Sequence, residues 1–144
     1  MAALRRVDRL FARYGESHSN PSNKAIHWVC VPLITWSLLA ALWVWTPVAA
    51  YALVAVALAF YAWLSLPIAI GMLGVSVVLI YPITQIRDGL LVIAAAVFVL
   101  AWIGQFIGHA IEGRKPSFLE DVAFLLVGPA WLLALVYRRL GIAY

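Results

Sequence analysis

The sequence predicts an all-α integral membrane protein: a compact bundle of four transmembrane helices, with a short fifth apolar segment and an amphipathic N-terminal helix. Hydrophobic residues make up 66% of its 144 residues and charged residues only 11%, whereas an ordinary soluble domain carries about 25% charged residues. A soluble core of this size could not hide so much apolar surface from water, but a bilayer sets no such limit. We therefore expect one membrane-embedded domain over residues 1–144.

Charged residues are confined to four regions, which lie before Ala25, at 87–88, at 112–121 and at 138–139. The long stretches between them carry no charge, so the net charge of +4 indicates a lipid surface and not nucleic acid as the partner. The single cysteine, Cys30, excludes an internal disulfide and a site built from several thiolates.

The first uncharged stretch is long enough for three spans. It covers 62 residues, 25–86, which is about 93 Å of helix or about three crossings of a ~30 Å hydrocarbon core. Thr46-Pro47 and Ser65-Leu66-Pro67 are the natural breaks, because proline lacks an amide hydrogen and clashes with the preceding helical turn. The predicted spans are 26–45, 48–66 and 68–84.

The second uncharged stretch, 89–111, has 23 residues and predicts the fourth span. The last apolar run, 122–137, has only 16 residues and contains Gly128-Pro129 at its centre. It is either a short crossing or a re-entrant hairpin. We favour the hairpin, because it keeps the basic pair at 138–139 on the cytoplasmic side, where basic residues are preferred.

An amphipathic interfacial helix is predicted before the first span. Its apolar residues recur at helical spacing, with arginines on the opposite face; they are Leu4, Val7, Leu10, Phe11 and Tyr14. Five basic residues before the first span place the N-terminus in the cytoplasm. The expected location is the bacterial inner membrane, or the endoplasmic reticulum of a eukaryote, with the site facing the cytoplasm.

Polar residues collect just before and at the start of the first span. Asn20 followed by Pro21 is typical of a helix N-cap and first helical residue. His18 precedes this cap, and Asn23 and His27 follow it one turn apart on a single helical face.

A second polar set ends the fourth span. Gln105, His109 and Glu112 follow i, i+4, i+7 spacing and share one helical stripe. Gly104 and Gly108 lie on an adjacent stripe, where small residues let another helix approach closely. Four crossings bring both polar sets to the same membrane surface, whereas three or five would separate them.

Three neutral imidazoles and a carboxylate form a ligand set suited to Fe(II), Zn(II) or Mn(II). The non-metal alternative is interfacial histidines that bond to lipid headgroups, with Glu112 paired to Arg114 or Lys115. Two other classes of protein also remain: a b-type haem protein with His27 and another histidine as axial ligands, and a non-catalytic lipid-binding module.

Two long motifs carry a family resemblance: Tyr14-x-x-Ser-His18-x-Asn-Pro-x-Asn-Lys-x-Ile-His27, and Trp102-x-x-Gln-Phe-Ile-Gly-His109-x-x-Glu-Gly-Arg-Lys-Pro116. The pair resembles the Fe(II)-dependent 2-hydroxy fatty acid dioxygenases of fungal endoplasmic reticulum and their bacterial relatives. The resemblance implies that Fe(2+) and dioxygen shorten a long-chain 2-hydroxy fatty acid by one carbon. His18, His27 and His109 would then be ligands, with Glu112 a fourth ligand or an acid/base.

The chemistry of four further polar residues predicts roles for them beside these ligands. Asn23 and Gln105 would orient the ligands. Lys24 or Arg114 would attract the substrate carboxylate.

Overall fold

This computed structural model describes residues 5–119 and 122–144. Within these ranges the chain forms six α-helices, one short 3₁₀ helix and no strand, which confirms the all-α prediction. The elements are α1 (Arg6–Gly15), α2 (Pro21–Trp45), α3 (Pro47–Leu64), α4 (Leu66–Gln85), α5 (Leu90–Glu112), the 3₁₀ helix (Ser117–Leu119) and α6 (Phe124–Leu140). Leu4, the first residue of the predicted amphipathic helix, lies outside the described residues.

Four helices, α2 to α5, are long and apolar enough to cross a membrane, as predicted. The breaks between the first three fall at the prolines, because α3 begins at Pro47 and Pro67 lies in the first turn of α4. Thr46 and Ser65, which join these helices, both have extended backbones.

Helix α2 begins five residues before the predicted span. It starts at Pro21, and the Asn20 side chain accepts a hydrogen bond from the Ser22 amide at 2.9 Å, which confirms the predicted cap. The additional turn is polar and carries Asn23. The start of α2, the turn between α3 and α4, and the last turn of α5 lie at one end of the bundle, here called the polar end.

Helices α2 and α5 make the most extensive packing of any described helix pair. Glycines allow the contact, as predicted. A Cβ atom added to Gly104 would lie 2.6 Å from the Cys30 sulfur, and one added to Gly108 would collide with the side-chain oxygen of Asn23. This close approach positions the ends of the two helices that carry His27 and His109.

The predicted re-entrant hairpin is wrong, because α6 is one continuous helix through Pro129. Proline costs the helix one hydrogen bond, leaving the Leu125 carbonyl without its usual donor. The Tyr61 hydroxyl donates to the adjacent carbonyl, that of Leu126, at 2.8 Å. A buried tertiary contact therefore supports the helix where the sequence indicates a break.

Helix α6 lies across the polar end of the bundle. Near its start it contacts Tyr61, close to the end of α3, through Leu126. Near its end, the Tyr137 hydroxyl donates to the Pro67 carbonyl at 3.0 Å, at the start of α4. Since both contacts lie near the same turn, the two ends of α6 are at one end of the bundle.

The apolar face of α1 is buried by protein, although the sequence indicated that it rests on lipid. Val7, Phe11 and Tyr14 are buried in the same cluster as residues of α6. The Tyr14 and Trp131 rings are 5.3 Å apart between centroids. Because α6 lies across the polar end, it offers α1 an apolar surface of its own.

Replacing Gly108 with alanine is expected to destabilise the protein. The added methyl meets Asn23, whose amide is held by hydrogen bonds to Ser17 and Glu112. Overpacking of this kind lowers the free energy of unfolding by about 1–3 kcal/mol. Thermal unfolding in detergent should show a lower melting temperature for Gly108→Ala.

Gly74→Ala is the matched control, because no described atom lies within 4 Å of the added methyl. Equal melting of the two variants would contradict the close packing.

Candidate metal centre

Three histidines from separate parts of the chain converge at the polar end. His18 follows α1, His27 lies in the second turn of α2, and His109 lies in the last turn of α5. One ring nitrogen from each lies within 4.8 Å of the others. The ring centroids are 4.3 Å apart for His18 and His27, 5.1 Å for His18 and His109, and 4.9 Å for His27 and His109. Their residues are only 1%, 1% and 5% exposed.

Backbone carbonyls orient two of the imidazoles. The Nδ1 atom of His18 is 2.6 Å from the Tyr14 carbonyl, and that of His27 is 2.9 Å from the Asn23 carbonyl. A carbonyl only accepts hydrogen bonds, so each Nδ1 carries the hydrogen and each Nε2 keeps a lone pair. Hydrogen bonds of this kind are what orient metal-binding histidines.

Two imidazole nitrogens are buried without a hydrogen-bond partner among the described residues. They are Nε2 of His18 and Nδ1 of His109. Buried polar atoms are nearly always paired, so two unpaired nitrogens in a cluster of three imidazoles require an explanation. A divalent cation held by three nitrogen donors supplies one, and the residues present therefore fit a metal ion.

Burial also controls the charge of the site. It lowers the pKa of His18 to about 4, so the imidazole is neutral at physiological pH, as a metal ligand must be. The Tyr14 ring stacks on the His18 ring, with centroids 4.1 Å apart and planes 13° from parallel. Tyr14 was not among the predicted site residues; its i, i+4 spacing from His18 was the available signal.

Glu112 lies outside the group of described side chains whose ligand atoms meet within 4.8 Å. Its carboxylate accepts hydrogen bonds from the backbone amides of Ser19 and Asn20, both at 2.9 Å, and from the Asn23 side-chain amide at 3.0 Å. It also accepts a hydrogen bond from the Ser19 hydroxyl. A negative charge at the start of a helix is favourable, because the first amides there lack intrahelical partners. The geometry thus gives Glu112 a structural role, which is to join the end of α5 to the start of α2.

Asn23 and Gln105 lie where residues that orient the ligands are needed. Asn23 is fully buried; its side-chain amide donates to the Ser17 carbonyl at 3.1 Å and to Glu112, while its own carbonyl pairs with His27. Gln105 is buried and lines the same small cavity as His27 and His109.

The two cations expected to attract a carboxylate lie in different places. Lys24 is half-buried and lines an open depression that His18 and Arg138 also line. Arg114 is exposed and lines a separate depression with Ser17 and Ser117. Of the two, only Lys24 shares a depression with one of the imidazoles.

A small cavity of about 60 Å³ adjoins the three imidazoles. The histidines, Gln105 and Ser117 form its polar part, and its apolar wall comes from α2, α5 and α6. The α6 residues in this wall include Phe124 and Pro129. The motifs alone did not indicate that α6 contributes to the site.

Replacing Glu112 with glutamine should loosen the polar end. Glutamine removes the charge and turns an N–H group toward amides that are themselves donors. We therefore expect the free energy of unfolding to fall by about 1–3 kcal/mol. Glu16→Gln removes the same charge from an exposed side chain nearby and serves as the control. Thermal unfolding in detergent measures both. If the two variants melted alike, Glu112 would not join the two helices in this way.

A family model described as 2-hydroxy-palmitic acid dioxygenase Mpo1-like matches residues 4–140, nearly the whole chain. No curated protein and no solved structure matches the chain. The family's name indicates a dioxygenase-like function toward a 2-hydroxy fatty acid, and the resemblance predicted from the two histidine motifs is confirmed. The chain therefore belongs to the 2-hydroxy-palmitic acid dioxygenase Mpo1-like family.

Proposed function

We propose that this protein is an Fe(II)-dependent dioxygenase that converts a long-chain 2-hydroxy fatty acid to the fatty acid one carbon shorter. The observation that carries the proposal is the convergence of three buried imidazoles, two with orphaned nitrogens, in a member of a dioxygenase family. When bound, Fe(II) would supply open coordination positions and a path for electrons between the substrate and dioxygen.

The overall reaction balances without a further oxidant. A 2-hydroxy acid and one dioxygen give the shorter acid, carbon dioxide and one water. Cleaving the bond between the carboxyl carbon and the hydroxyl-bearing carbon releases four electrons, which one dioxygen accepts. Neither 2-oxoglutarate nor a nicotinamide is therefore required.

The chain's own residues bind and orient the reactants. His18, His27 and His109 would hold the metal through the nitrogens that face one another. The Lys24 ammonium, in a depression beside His18, would attract the substrate carboxylate. The apolar wall of the adjoining cavity would keep bulk water from the reacting carbon.

We place the polar end of the bundle at the cytoplasmic face of the membrane. The arginines of α1, the pair Arg114 and Lys115, and the last turn of α6 with Arg138 and Arg139 are all on elements of this end. Basic residues are preferred on the cytoplasmic side. A fatty acid held in the membrane would then present its polar head at the level of the imidazoles.

The haem alternative does not suit this geometry. Two axial histidines of a haem lie on opposite faces of a wide, flat macrocycle. Here the rings converge with centroids 4.3–5.1 Å apart, and the adjoining cavity holds only about 60 Å³.

Each histidine should be needed for metal binding. We expect anaerobically reconstituted protein to hold one Fe(II) per chain, and the variants His18→Ala, His27→Ala and His109→Ala to lose it. Inductively coupled plasma mass spectrometry measures the iron, and circular dichroism checks that the helices persist. Gln85→Ala, at the opposite end of the bundle, should keep its iron. Full iron content in all three histidine variants would refute the ligand assignment.

The reaction can be tested with ¹⁸O-labelled dioxygen. Purified protein with Fe(II) and a C16 2-hydroxy fatty acid should release the C15 acid with one labelled carboxylate oxygen, without 2-oxoglutarate. The matching 3-hydroxy acid should be a poor substrate, because its carboxylate and hydroxyl are further apart for chelation. Absence of label from the product, or a strict need for 2-oxoglutarate, would overturn the proposed chemistry.

A further inference from the structure

We propose that an apolar cavity inside the bundle is the acyl-chain chamber of this site, and that its far wall sets the length of the chain accepted. The inference rests on the proposed function, in which the head of a 2-hydroxy fatty acid binds at the imidazoles. The chamber has a volume of about 310 Å³ and lies between α2, α3, α4, α5 and α6. Its lining is overwhelmingly apolar, so it suits a hydrocarbon chain and not water.

The chamber adjoins the cavity beside the imidazoles. Five residues line both spaces, and we call this shared boundary the neck: Ile34, Thr35, Trp102, Leu125 and Pro129. A ligand whose head lies at the imidazoles and whose tail enters the chamber must pass these residues.

Trp102 gives the neck a second feature that indicates a ligand. Its indole nitrogen is buried and has no hydrogen-bond partner in the described part of the chain. An unpaired buried donor costs free energy, and the oxygens of a bound head group would relieve that cost. The neck is therefore polar at the point where the head and tail of a 2-hydroxy acid would meet.

The depth of the chamber matches one membrane acyl chain. Along α2, Leu39 lies 12 positions after His27, which is a rise of about 18 Å. One leaflet occupies half of a ~30 Å hydrocarbon core, so its acyl chains extend about 15 Å. A fatty acid of ordinary membrane length, with its head at the imidazoles, would reach to within a few ångströms of the level of Leu39.

The far wall of the chamber is formed by leucines. Leu39, Leu53 and Leu79, from α2, α3 and α4, line the chamber at the end remote from the imidazoles. Leu39 is buried in a second hydrophobic cluster, against which Leu53 and Leu79 pack. Ala57, one turn nearer the polar end on α3, also lines the chamber and leaves space at mid-depth.

A larger residue at mid-depth should shorten the preferred substrate. Each methylene that loses its burial weakens binding about fourfold. Ala57→Phe should therefore lower kcat/KM for the C16 2-hydroxy acid, relative to kcat/KM for the C12 acid, by at least about tenfold. Ala55→Phe, the same change on the exposed face of α3, should leave the ratio unchanged. Leu79→Ala should favour longer chains, whereas Leu73→Ala, at a residue 52% exposed, should not.

Photochemical crosslinking tests the chamber without turnover. A 2-hydroxy C16 acid with a diazirine at its methyl end should label Leu39, Leu53 or Leu79 of the wild-type protein, as mapped by peptide mass spectrometry. Labelling only of outward residues such as Val56, 65% exposed, would overturn the inference. Competition tests the identity of the occupant. If excess phospholipid abolished the labelling and excess unlabelled 2-hydroxy acid did not, the occupant would be a bilayer lipid and the inference would be overturned.

The two proposals fail in different ways. If the wild-type protein consumed no 2-hydroxy acid of any length, the proposed function would be wrong. If it did consume them, and Ala57→Phe had the same chain-length preference as Ala55→Phe, the chamber alone would be wrong.

Discussion

The structure depends on the cost of burying polar groups at the end of an apolar bundle. Three imidazoles, an asparagine and a glutamine are buried there, and each unpaired group would cost several kcal/mol. The helix termini meet much of that cost, because they offer backbone amides and carbonyls that no intrahelical bond uses. The Tyr14 carbonyl pairs with His18, and Glu112 pairs with the backbone amides of Ser19 and Asn20, directly before α2. The polar layer is thus held by chain ends, and the close packing of α2 on α5 brings those ends together.

Features with a local cause could be predicted from the sequence. Runs without charge, and the prolines within them, gave the four spans to within a few residues, because lipid and proline each act on a short stretch of chain. The even number of spans brought His18 and His27 to the same end as His109. The Asn20 cap and the close approach of another helix to Gly104 and Gly108 were also predicted, because a cap and a glycine stripe depend on residues one turn apart.

Features with a long-range cause could not be predicted. Gly128-Pro129 predicted a break in α6, but a hydrogen bond from Tyr61, more than sixty residues away, supports the helix there. The apolar face of α1 is the same whether lipid or protein covers it, and only the path of α6 decides between them. The spacing of Glu112 indicated the stripe it shares with His109, but not that Ser19 and Asn20 would occupy its oxygens.

One consequence follows from the position of α6. Its residues Leu125 and Pro129 belong at once to the wall beside the imidazoles and to the wall of the apolar chamber. A displacement of this helix would therefore uncover head and tail sites in a single movement. In the proposed reaction, entry of the fatty acid and departure of the shortened acid would then share one gate. Opening of that gate would limit the turnover rate whenever it is slower than the bond cleavage.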